Sequence, residues 1–134
     1  MAIDKVRVNE RSSKVVTFTI LDENGDPVPD SVLTSATLTL FDLLTGKASG
    51  SPMQGVINSR GDQDVLNDND VTIDGDGLVT WAMQPADNII VTPRRQIERH
   101  RAMFSFAWPG ASPGLTGSFD YEFEIEVVNL RKAS

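Results

Sequence analysis

At 134 residues the chain has the length of one domain, 1–134, and can bury a core without covalent staples. It has no cysteine and a single histidine, which excludes disulfides, thiolate metal sites and zinc centres built on several histidines. Its net charge of −7 opposes nucleic acid and anionic membrane surfaces, so neither is an expected partner.

The first residues show no basic segment followed by an apolar one, and no apolar run approaches membrane-spanning length. A soluble protein without a secretory leader is therefore expected. Val6 and Val8 predict a short strand within Ile3–Val8, carried on an extended N-terminal arm, 1–13. Lys14–Leu21 predicts a second strand with β-formers on both faces, hence a central one. It ends in Asp22–Pro29, where Asn24 and Gly25 form a strong turn signal. Asp30–Ser35 reads as a linker with at most one helical turn. Ala36–Leu43 predicts the next strand, and Leu44–Lys47 a hairpin turn. Ala48–Gln54 reads as loop or ragged edge.

Arg60–Asp70 is dense in Asp, Asn and Gly, and reads as an exposed excursion pinned at Val65 and Leu66. Val71–Ile73, the Asp74–Gly77 turn and Leu78–Met83 predict a hairpin in which Val79, Trp81 and Met83 share a face. Gln84–Asn88 breaks that strand, and Ile89–Val91 reads as a covering segment or helical turn. Ala102–Trp108 predicts a strand, Pro109–Gly117 a glycine-rich loop, and 129–134 a frayed basic tail. Phe119–Val127 is the clearest element. Phe119, Tyr121, Phe123, Ile125 and Val127 alternate with Asp120, Glu122, Glu124 and Glu126, the pattern of a strand with one buried and one wet face. About seven short strands and no amphipathic helix predict an all-β fold. An immunoglobulin-like antiparallel β-sandwich is preferred over a small barrel, with Trp81 or Trp108 filling its centre.

No motif assigns chemistry. The acids of Phe119–Val127 lie on one solvent face of one strand, whereas catalytic pairs face a cleft from separate strands. A solubilising face, or pairing with cross-strand Lys or Arg, explains them better. The Asp-rich turns fail the EF-hand pattern: counting from Asp68, positions five and six are Thr72 and Ile73, and from Asp22 position six is Pro27. Turn chemistry accounts for them, and whether they bind calcium stays open. His100 reads as a loop or edge histidine beside Arg99 and Arg101, without the Gly-x-Ser-x-Gly elbow of a hydrolase. Arg60, Gly61 and Asp62 spell an adhesive tripeptide that is too short to be informative. No catalytic, cofactor-binding or metal-binding residue is assigned. Arg94, Arg95, Arg99 and Arg101 form the one basic concentration. It lacks the interleaved aromatics of a nucleic-acid surface and reads as a docking patch for an acidic neighbour, with Glu122 and Glu124 as its counterpart on another copy.

Three segments together carry a family resemblance: Val16–Val28; Asn58–Asn67 followed by Gly77–Trp81 and Pro85–Asn88; and the strands Glu98–Trp108 and Phe119–Asn129. They resemble small virion structural proteins of tailed bacteriophages, with immunoglobulin-like sandwich folds. The resemblance implies a non-enzymatic part of a particle: a capsid decoration protein, or a head-surface, head–tail or tail component. It would be made in the host cytoplasm and docked in many copies on the major capsid or another virion protein. The alternative is a ligand- or carbohydrate-binding, adhesive sandwich of a tail or baseplate, for which Phe41 and Tyr121 are the aromatics to watch.

Overall fold

The computed structural model describes residues 4–43, 55–92, 95–110 and 114–130. Eight strands follow one another: β1 (Asp4–Asn9), β2 (Lys14–Thr19), β3 (Ser35–Asp42), β4 (Gln63–Asp64), β5 (Val71–Ile73), β6 (Leu78–Met83), β7 (Ile97–Pro109) and β8 (Thr116–Val128). They form two sheets, one ordered β1-β8-β7-β3-β4 and the other β2-β6-β5. The fold is an all-β, two-layer sandwich. Two 3-10 turns, Asp30–Val32 and Pro85–Asn88, are its helical elements among the described residues. No helix there is long and apolar enough to cross a membrane. The expected Leu44–Lys47 turn, most of the Ala48–Gln54 loop and the end of the tail lie outside the described residues.

The layers follow from the alternation read in the sequence. β8 pairs with β7 antiparallel over thirteen positions, from Ile97 opposite Val128 to Pro109 opposite Thr116. Phe123, Ile125 and Val127 are buried, as are Phe104 and Phe106 beside them on β7. β2 and β6 supply the opposite wall with Val16, Phe18, Val79, Trp81 and Met83. Phe18 is the ring on which the layers meet. It stacks on Tyr121 at 4.3 Å and meets Phe104 at 5.0 Å, Phe106 at 5.8 Å and Phe123 at 5.8 Å. Trp81 fills the centre with no exposed surface and packs edge-on against Phe104, while Trp108 is only half-buried.

Five expectations change. The N-terminal stretch 4–9 is docked as β1, parallel to β8 from Asp4 opposite Phe123 to Asn9 opposite Val128, so the principal sheet is mixed. β2 lies at an edge of its sheet, because its β-formers serve one core face and one exposed face. β7 begins five residues before the expected strand, at Ile97. Its inward parity therefore includes Glu98 and His100, and His100 is fully buried within a strand instead of lying on a loop. The Arg60–Asp70 excursion is pinned at Val65 as expected, but Arg60 is itself buried.

The Asp74–Gly77 turn connects β5 to β6 and packs against the β2–β3 connection at Ile20, Val28 and Asp30. Gly77 has φ +75, and a Cβ there would stand 2.7 Å from the Val28 carbonyl oxygen. Gly25 has φ +80, with open space around it. Gly77→Ala should therefore cost more than Gly25→Ala. The latter carries only the left-handed backbone penalty of about 1–2 kcal/mol; the former adds displacement of backbone. Denaturant midpoints of the two variants measure the difference.

Candidate functional site

The acidic face of β8 finds its counter-charges inside the same chain. β7 on one side presents Arg99 and Arg101, and β1 on the other presents Lys5 and Arg7, because register and parity put them on the same outer face. Arg101 lies 3.9 Å from Glu122 and from Glu124, Arg99 3.5 Å from Glu126, Lys5 3.9 Å from Glu124, and Arg7 3.9 Å from Glu126. Pairs this long and this exposed contribute at most about 1 kcal/mol each. Together they neutralise a ladder that would otherwise repel itself. Of the residues singled out as an interface, Arg99 is exposed, whereas Arg101, Glu122 and Glu124 are half-buried and engaged with one another. Arg94 lies outside the described residues.

Arg95 belongs to a second group, inside the sandwich. Its guanidinium lies 3.1 Å from Asp42 and 3.5 Å from Glu98, both fully buried. Glu98 also accepts the Val91 N–H at 2.7 Å and the Thr92 N–H at 2.8 Å, and His100 Nε2 lies 2.6 Å from its Oε1. The carboxylate thus selects the tautomer with hydrogen on Nε2. His100 Nδ1 is buried without a hydrogen-bond partner among the described residues. Asp42, Glu98 and His100 could offer three ligand atoms within 4.8 Å of one another. A cationic guanidinium already bridges the two carboxylates, so a metal ion would have to expel Arg95. The arrangement ties the start of β7 to the end of β3 and to the 91–92 segment.

Arg60 centres a third group, which sequence reading missed. Only 1 % of its surface is exposed. Its Nε donates to Asp87 Oδ1 at 2.5 Å and Nη2 to Asp87 Oδ2 at 3.1 Å, a bidentate fork. Nη2 also reaches Asp70 at 2.9 Å, and Nη1 reaches Gln63 at 2.7 Å and the Asn69 carbonyl at 3.0 Å. The guanidinium lies 5.8 Å from the Trp81 ring centroid, within cation–π range. Asp87 accepts the Gln84 N–H at 2.8 Å as well, which fixes the 3-10 turn Pro85–Asn88. Burial works to lower the Arg60 pKa, but hydrogen bonding and charge from Asp87, then Asp70, outweigh it and the net shift is upward. An arginine so enclosed is not available to a receptor, so the adhesive reading of Arg60–Asp62 fails. The available signal was Pro85-Ala86-Asp87: an acid three residues after Gln84 at the start of a turn.

The remaining candidates resolve into turns and core. Asp22 Oδ1 accepts the N–H groups of Asn24 and Asp26, and Asp74 Oδ1 those of Asp76 and Leu78. Phe41 is buried and Tyr121 lies against Phe18, so neither is an exposed platform for a sugar.

What is left on the surface is uneven. The outer face of the β2-β6-β5 sheet carries Val15 beside Ala82, then Thr17, Thr80 and Thr72 in one row, then Thr19 beside Leu78. None of these is charged. Val15 is 61 % and Leu78 39 % exposed. The other sheet presents the charged ladder, so the two outer faces differ sharply in hydration.

Two measurements test these assignments. Arg60→Met leaves Asp87 buried and unpaired, and should cost about 3–5 kcal/mol of unfolding free energy. Adding Asp87→Asn should cost less than the sum of the single changes. The second concerns Tyr121, whose hydroxyl is pushed up to about 12 by burial and then by its hydrogen bond to Asp4. A folded-state value raised above the ordinary 10 supports the fold fully below that pH and loses its contribution as pH rises toward about 12. Melting temperatures across that window should fall less for Tyr121→Phe than for the native chain.

No known family model and no curated protein matches this chain. Among solved structures, the N-terminal domain of phage TP901-1 ORF48 is similar at 18% sequence identity and a TM-score of 0.42, over 96% of this chain and 86% of that one. A likeness of that size carries no argument about function.

Proposed function

We propose that this chain is a non-enzymatic structural component of a tailed-phage virion, which docks in many copies on a larger shell protein. A capsid decoration or head-surface role, or one at the head–tail junction, is the specific form of the reading. The observation that supports docking is the uncharged outer face of the β2-β6-β5 sheet. A solvated antiparallel face in an acidic chain ordinarily carries charge, as the β1-β8-β7 face does here. Seven positions in three rows carry only Val, Ala, Leu and Thr on β2, β5 and β6. Such a surface loses little on dehydration and suits a flat partner. The three buried or paired charge groups support the non-enzymatic part: their polar atoms hold strands and turns together. The location rests on the resemblance of Val16–Val28, Asn58–Asn67 and Phe119–Asn129 to virion domains.

The test places a charge in the middle of that face. Val15→Lys combined with Thr80→Lys should abolish incorporation into particles assembled in the host, by at least about tenfold, because each buried interfacial cation lacks a partner. The thermal melt of the isolated chain should hardly move, since both side chains project outward. Normal incorporation of the variant would contradict docking through this face. A native chain absent from purified particles would overturn the virion reading itself.

A further inference from the structure

The formal charges are not spread evenly along the sandwich. One end gathers the Asp22–Asp26 turn, the Asp74–Gly77 turn, the end of β7 and the start of β8. Ile20 N–H donates to the Gly77 carbonyl and Asp30 N–H to the Asp74 carbonyl, which holds these turns side by side. Glu23, Asp26, Asp74 and Asp76 are exposed there, with Asp22 and Asp30 half-buried. No Lys or Arg lies at this end among the described residues; between Lys14 and Arg94 the sequence has only Lys47 and the buried Arg60. The opposite end gathers the β1–β2 connector, the start of β7 and the end of β8. Glu10 N–H donates to the Val128 carbonyl, Arg11 N–H to the Asn88 carbonyl and Asn129 N–H to the Gln96 carbonyl. Arg11 and Lys14 are exposed at this end, and Arg131 and Lys132 follow Leu130 in the sequence. Its carboxylates are largely spent or shielded: Asp42, Asp87 and Glu98 are buried and paired, the more exposed Asp70 shares Arg60 with Asp87, Glu126 is paired with Arg7 and Arg99, and Glu10 is half-buried.

The acidic end is also concave. Leu21, Trp108, Leu115 and Phe119 line a groove of about 610 Å³ whose rim carries Asp22 and Glu23. Trp108 can lie across it only because residue 117 is glycine: a Cβ there would clash with the indole nitrogen. Leu115 is 60 % exposed and Leu21 38 % exposed. At the basic end Leu130, at 49 %, and Val91, at 41 %, are the large exposed apolar side chains among the described residues. An apolar groove with an acidic rim and an apolar side chain next to cations are complementary in both polarity and charge. They cannot meet within one chain: β8 alone separates them by thirteen residues, or about 43 Å of strand.

We infer that the acidic, Trp108-lined groove receives the basic Leu130 end of a second copy, so that copies dock end to end. The inference rests on the proposed multi-copy role and names one of its partners, a further copy of this chain. The contact is heterologous, joining two different surfaces, so it leaves a free groove at one end and a free basic end at the other. It propagates into a ring or a row. The uncharged sheet face lies along the side of such a row and stays available to the shell.

Charge exchange on the full chain tests this. The native protein should self-associate in sedimentation velocity at low ionic strength, and dissociate near 1 M salt, where the screening length is about 3 Å. Glu23→Lys with Asp26→Lys should weaken association at least about tenfold, and so should Arg11→Glu with Lys14→Glu. An equimolar mixture of the two variants should associate again, because each reversed end then faces an end of opposite charge. A zero-length carbodiimide cross-link between Lys14 and Glu23 gives a readout on the native chain. These residues lie about 30 Å apart along β2 and its turn, too far to bridge within one copy. A native chain that stays monomeric at low salt overturns the inference. So does association that is indifferent to salt and to both reversals, or a mixture that remains monomeric. Particle incorporation of the reversed variants separates this result from the broader reading. A chain that incorporates singly without end-to-end contacts removes the second copy as partner and leaves docking on the shell intact.

Discussion

The register between β7 and β8 is the constraint on which the rest depends. Side chains along a strand alternate with period two, so a slip by one residue would exchange every inward and outward position. In the observed register, Phe104 and Phe106 on β7 join Phe123 and Ile125 on β8 beneath Phe18 and Trp81. The same register sends Arg99 and Arg101 outward against Glu122, Glu124 and Glu126. A slip would bury a row of carboxylates and expose the rings. The cost of burying unpaired charge therefore enforces the register as strongly as the gain from burying phenylalanine.

The buried charge groups act at places where that hydrophobic argument runs out. The chain leaves β4 through irregular backbone with Asn67, Asn69 and Asp70 at positive φ, and little apolar surface holds this segment. Arg60 substitutes for a core there. One guanidinium satisfies Asp87, Asp70, Gln63 and the Asn69 carbonyl, drawing the 60–70 loop, the Pro85–Asn88 turn and the Trp81 strand to a common point. Glu98 does the same for the start of β7 by collecting the Val91 and Thr92 amides with His100 and Arg95. Arg60, Glu98 and His100 at their centres are buried, so both groups read as internal ties between loops.

Much of this architecture was legible in the chain itself. Alternation placed β8, β6 and the second half of β7, because each has a long run with one face apolar. It could not place Glu98 and His100. An acid and a histidine at inward parity look like the end of a strand unless the partners that satisfy them are known; Asp42 is distant in sequence, and Arg95, three residues before Glu98, looks like part of a surface basic cluster. Arg60 was hidden for the same reason: its partners Asp87 and Asp70 come from separate turns. The parallel docking of β1 was hidden too, since a short Val6/Val8 pattern does not specify its neighbour. Cross-strand pairing of the β8 acids with Lys or Arg was readable from the alternation, and the structure names the partners as Arg101, Arg99, Lys5 and Arg7. The uncharged sheet face and the charge separation between the ends appear only once the strands are assembled.

End-to-end alignment of copies through opposite charge, with the β2-β6-β5 face turned sideways to a shell, is the arrangement proposed from these surfaces. Imaging the chain within an assembled particle, at a resolution that orients individual sandwiches, tests that most directly. The proposed arrangement puts the Trp108-lined groove of one copy against the Leu130 end of the next, with Val15 and Leu78 turned toward the shell. Neighbouring copies related by a two-fold axis with like ends together, or sandwiches whose β2-β6-β5 faces point to solvent, would contradict it.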